Sequence, residues 1–138
     1  MTVRSQTDSE IVVETAHRRI GTVERPVITL RRGLEHVLVE DRRRKDVEPI
    51  RLPLERVESV RLVPAAGRGL HHWRWSTRAA WTVALRFKSG EDLVLEERLD
   101  ATAALELAKS IQGLCDIQLD EASRRMFGLG DAMGPTAE

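Results

Sequence analysis

The spacing of apolar residues in this 138-residue chain changes once, at Asp100. Before that point they recur at every second position within short segments; after it they recur at every third or fourth. A period of two belongs to a strand with one buried face, and the longer spacing belongs to an amphipathic helix. The order is therefore strands first and helix last, which places the chain in the α+β class.

Within the strand-forming part, IVVETAHRRI (11–20) is rich in β-branched residues and closes at Gly21. RPVITLRR (25–32) sets Val27 and Thr29 against Ile28 and Leu30, and Gly33 ends it. LEHVLVE (34–40) runs into DRRRKD (41–46), a charge run suited to an exposed loop. PIRLPLERVESVRLVP (49–64) divides into two strands. Pro53 cannot donate to a ladder, so the first of them is short or lies at an edge, whereas Val60 and Leu62 share a face of the second. AAWTVALRFK (79–88) puts Trp81, Val83, Leu85 and Phe87 on one side and Thr82, Arg86 and Lys88 on the other. After the turn SGED, Leu93 and Leu95 share a face, which predicts a hairpin with a buried side.

Asp100 is placed as a helix N-cap before ATAALELAKSIQGLC, with Ala104, Leu107, Ala108, Ile111, Leu114 and Cys115 on one stripe. A further helical turn is expected at EASRRMF (121–127). Residues 1–9 and 128–138 are expected to be flexible, leaving 10–127 as a single domain. The expectation is about seven strands in a curled antiparallel sheet, covered at its open end by the helix.

The segments IRLPLERVESVRL, WTVALRF, SGEDLVLEE and ATAALELAKSIQGL, taken in that order, resemble the bacterial pleckstrin-homology-like (PH-like) domains over residues 10–115. The resemblance implies a partly open barrel of seven strands capped by a C-terminal helix, and a role in interaction or scaffolding. The lipid-binding pleckstrin domains carry a basic loop between their first two strands. Here that connection is the short GTVER, with Arg18, Arg19 and Arg25 nearby, so no lipid-site residue is carried over.

Nothing in the sequence assembles a catalytic, cofactor or metal motif. Neither a GxGxxG nor a P-loop occurs to bring backbone N–H groups to a phosphate. His71 and His72 are adjacent, so on a strand they point apart, and His17 and His36 lie on other segments. Cys115 falls on the helix's apolar stripe, where a thiol behaves as a small hydrophobe. The reading is a non-enzyme without cofactor or metal, with a small-ligand binder or unrecognised enzyme kept as the third choice, since any fold can hold a pocket. A single cysteine and the lack of an apolar leader make the cytoplasm the expected compartment.

Charge is distributed unevenly. Residues 1–90 hold 18 basic against 11 acidic residues, and residues 91–138 hold 4 against 11. No acid occurs between Glu58 and Glu91, a stretch carrying Arg61, Arg68, Arg74, Arg78, Arg86 and Lys88. Such a stretch either pairs with the acidic 91–100 segment across a hairpin or faces an anionic partner.

Inside it lies GLHHWRWSTRAAW (69–81), with all three tryptophans of the chain. Trp81 reads as core. Trp73 and Trp75 share one side of an extended backbone, either covering the end of the sheet or forming a binding surface. As a surface, Leu70, Trp73 and Trp75 with Arg68, Arg74 and Arg78 suit a protein partner or a homo-oligomer contact. The second choice is an anionic membrane surface, with tryptophan at the interface and arginine on headgroups. Nucleic acid ranks last, because the chain has no net charge.

Overall fold

A computed structural model describes residues 2–15, 20–44, 46–64 and 81–126. Among them are eight strands. β1 (Thr2–Gln6), β2 (Glu10–Thr15), β3 (Pro26–Arg31), β4 (His36–Asp41) and β5 (Ile50–Pro53) form one antiparallel meander. β6 (Val57–Pro64), β7 (Trp81–Phe87) and β8 (Asp92–Leu99) form a second. Helix α1 (Ala101–Cys115) and the short α2 (Glu121–Met126) follow.

The α+β order is as read from the periodicity, but the single curled sheet is not. The strands divide into sheets of five and three, and these do not close into a barrel. The division falls at Pro53, which ends β5 and leads into a 3-10 turn, Leu54–Arg56. Proline supplies no donor to extend the ladder, and the turn redirects the chain before β6 begins. The Leu54 N–H donates to the Glu35 carbonyl at 3.0 Å, which fixes the corner. A second difference lies at the N-terminus. The polar TVRSQ is paired along its length with β2, Thr2 opposite Thr15 and Gln6 opposite Ile11, so this segment is a strand and not a frayed end.

Alternation decides what each strand buries. Ile11 and Val13, Ile28 and Leu30, and Val37 and Val39 point inward from the larger sheet. Val60, Leu62, Val83, Leu85, Leu93 and Leu95 do so from the smaller one. Trp81 joins them at 6% exposure, and Phe87 packs against the core from its margin. The β7–β8 hairpin turns on Gly90, whose φ of 96° suits glycine, with Gly90 N–H donating to the Phe87 carbonyl at 2.8 Å. The β7–β8 register shifts twice between Trp81 and Ala84, and Arg98 adopts φ 62° on the bulged strand.

Helix α1 starts where the sequence places it. The Asp100 carboxylate accepts from the Ala103 N–H at 2.7 Å, and Asp116 ends the helix in the left-handed region at φ 59°. Ala104, Leu107, Ala108, Ile111 and Leu114 are buried, packing on β6, β7 and β8 of one sheet and β3 of the other. Cys115, at the edge of the stripe, is half-buried. The chain then returns along the free edge of β6. Val60 N–H donates to Gln118 O at 2.8 Å and Asp120 N–H to Val60 O at 2.9 Å. The buried Ser123 hydroxyl accepts from the Leu62 N–H at 2.8 Å. This strap covers an edge that would otherwise be open to another strand.

Because Leu107 is fully buried between both sheets, Leu107→Ala is expected to cost about 2–5 kcal/mol. Removing only the cap with Asp100→Ala should cost about 1 kcal/mol. Urea unfolding of both variants checks the order; a cap loss larger than the core loss would contradict it.

Candidate functional site

The residues singled out in the sequence, Arg68, Leu70, Trp73, Arg74, Trp75 and Arg78, lie outside the described residues, as do His17, His71, His72, Arg18 and Arg19. What the structure does fix is where their segment leaves and re-enters. Pro64 and Trp81 are the last described Cα partners of the β6–β7 ladder. A two-residue turn is enough to join strands so paired. Sixteen residues, 65–80, stand there instead.

Two of the six basic residues in the acid-free stretch are accounted for by the hairpin. On the outer face of the smaller sheet, Asp92 Oδ1 is 2.6 Å from Arg86 Nε and Asp92 Oδ2 is 2.8 Å from Arg61 Nη1. Arg61 Nε also lies 3.5 Å from Asp120 Oδ2, in the strap. This is the pairing with the 91–100 segment that the charge pattern offers as one alternative. It applies to Arg61 and Arg86, and Lys88 remains exposed with no ion-pair partner among the described residues.

The DRRRKD run is only partly the exposed loop expected of it. Arg42, Arg43 and Arg44 are exposed, but Asp41 is buried as the last residue of β4. Its carboxylate accepts from the backbone N–H groups of Glu24, Arg43 and Arg44 at 2.9–3.0 Å, tying two loops together. The Glu24 bond is the strongest reason its carboxyl sits below the ordinary 3.8, against the opposing effect of burial. At the opposite seam, Arg4 Nε of β1 lies 3.1 Å from Glu96 Oε1 of β8, joining the sheets by an ion pair. Burial pushes the Glu96 carboxyl up, and the Arg4 charge only partly offsets it. His36 is half-buried on β4, and burial raises the Cys115 thiol. Among the described residues no three His, Cys, Asp or Glu side chains gather as metal ligands, and no helix is long and apolar enough to cross a membrane.

A concave site does form among the described residues, between the β5 edge and the β7–β8 turn. It is a groove of about 840 Å³. Ile20, Leu52, Pro53, Phe87 and Leu93 supply its apolar floor; Arg56, Lys88, Ser89, Glu91 and Asp92 form its rim. Ile20 is held there by a tight turn in which it exchanges backbone bonds with Val23 at 2.8–2.9 Å. These residues come from three separate stretches of chain, at Ile20, Leu52–Arg56 and Phe87–Leu93. The local signals were Pro53 on an edge strand and Phe87 closing the hairpin's apolar face, and neither indicates that the two converge.

No protein-family model, curated protein or solved structure matches the chain.

The three carboxyls give opposite pH signs. For Asp92, burial would raise the value, but the hydrogen bond from Arg86 and the charge of Arg61 outweigh it and leave the carboxyl below 3.8. Asp41 and Asp92 thus stabilise the fold fully above the ordinary carboxylate value, and that stability is lost as pH falls from 3.8 through their lower folded-state values. Glu96 binds its proton more tightly when folded, so its effect on stability worsens as pH rises past 4.5. Melting temperature against pH should show the acid loss shallower in Asp41→Asn and in Asp92→Asn. Glu96→Gln should instead remove a decline above pH 4.5. Unchanged profiles in all three variants would contradict these assignments.

Proposed function

We propose that this chain is a non-catalytic, cytoplasmic interaction module of the PH-like kind, which binds a protein partner or a second copy of itself through residues 68–78. The order of a strand meander and a terminal helix laid over both sheets supports the PH-like reading. The observation that supports the interaction reading is the long connection between Pro64 and Trp81, Cα partners in the β6–β7 ladder with sixteen residues between them in sequence. Connections much longer than a hairpin turn are where binding residues concentrate.

The composition of that connection fits a contact surface. It holds Trp73 and Trp75 with Arg68, Arg74 and Arg78 and no acid, and tryptophan and arginine dominate interface energetics. Trp81, buried at the base, belongs to the scaffold rather than to the surface.

Replacing Trp73 and Trp75 together by alanine tests this. Light scattering of the full chain and capture of its partner should show assembly lost while the melting temperature stays near that of the parent. A variant that unfolds would place the two tryptophans in the core and remove the proposed surface. Sedimentation of the parent with anionic liposomes at low salt, lost in the same variant, would replace a protein partner by a membrane.

A further inference from the structure

The groove between β5 and the β7–β8 turn has a rim whose charge does not balance. Lys88 N–H donates to the Arg56 carbonyl at 2.8 Å, so the two cationic side chains arise from neighbouring points of the backbone. Both line the groove, and neither has an ion-pair partner among the described residues. On the acidic side, both oxygens of Asp92 are already engaged by Arg86 and Arg61. That leaves Glu91 as the one rim carboxylate available to answer two cations. The rim is therefore short of one negative charge, above a floor in which five of the ten lining residues are apolar.

We propose that the groove binds a small amphiphile with a single anionic head, a fatty-acid-like apolar carboxylate. Its chain lies on Leu52, Phe87 and Leu93, and its carboxylate is held between Arg56 and Lys88. The volume of about 840 Å³ falls within the range of small-ligand sites. Burial of the chain supplies affinity, and the paired cations fix which end enters. The floor is supplied by partly buried side chains at the margin of the core, Leu52 and Phe87 among them. This inference rests on the groove alone and is independent of residues 68–78.

Octanoate and octanol, titrated into the full chain and followed by calorimetry and by amide chemical shifts, provide the test. Octanoate is expected to bind one to one and about tenfold more tightly than octanol, the margin of a hydrogen-bonded charge. The shifts should gather on residues 52–56 and 87–93. The exposed pair Arg56→Gln with Lys88→Gln should erase the difference between the two probes while leaving octanol binding in place. Equal affinity of the probes, shifts elsewhere, or no binding of octanoate would overturn the proposal. Should the double variant misfold, the octanoate-to-octanol ratio and the shift map of the parent decide alone.

Discussion

Two sheets with no shared backbone ladder are held together by the apolar stripe of one helix. Leu107 and Ile111 of α1 are fully buried, and the helix lies against β6, β7 and β8 on one side and β3 on the other. Backbone pairing makes each sheet; side-chain burial, with the Arg4–Glu96 ion pair at the seam, joins them. Everything else in the fold is arranged around that packing. The cap at Asp100 sets where the stripe begins, and Asp116, by leaving the helical region, sends the chain back to β6. The strap formed on that return then covers the β6 edge with backbone hydrogen bonds.

An unclosed pair of sheets has edges to manage, and each is treated differently. β6 is covered by the strap. β1 and β8 meet across a seam bridged by Arg4 and Glu96. β5 is short, ends in proline, and borders the apolar groove. The charges on the outer face of the smaller sheet are mutually satisfied through Asp92, Arg61, Arg86 and Asp120. Such clusters favour fixed geometry over ligand capture, because their charge is already spent on one another. Arg56 and Lys88, beside the groove, have no ion-pair partner among the described residues.

The sequence made some of this readable and hid the rest for physical reasons. The β7–β8 hairpin and α1 were legible because alternation from Trp81 to Phe87 and the stripe from Ala104 to Leu114 are periodic signals of burial. β1 was not, because Thr2 to Gln6 pairs through its backbone and its polar composition says nothing about pairing. Pro53 marked an edge correctly, but the break into two sheets depends on how the following turn redirects the chain. Arg61 and Arg86 were legible as partners of the 91–100 segment, whereas Asp120 joined them only through the return after α1. The groove left almost no trace, since Ile20, Leu52, Phe87 and Leu93 are brought together by tertiary structure alone. Of residues 68–78 the sequence shows the composition, and the described structure shows only the strand ends that flank their segment, Pro64 and Trp81.

The central proposal is that the fold needs residues 65–80 only to join Pro64 to Trp81. Replacing 65–80 by an Asn-Gly turn and following thermal unfolding tests this directly. The account predicts one cooperative transition within a few degrees of the parent. A chain that no longer folds, or that melts without cooperativity, would show that the segment is part of the core and would contradict the account.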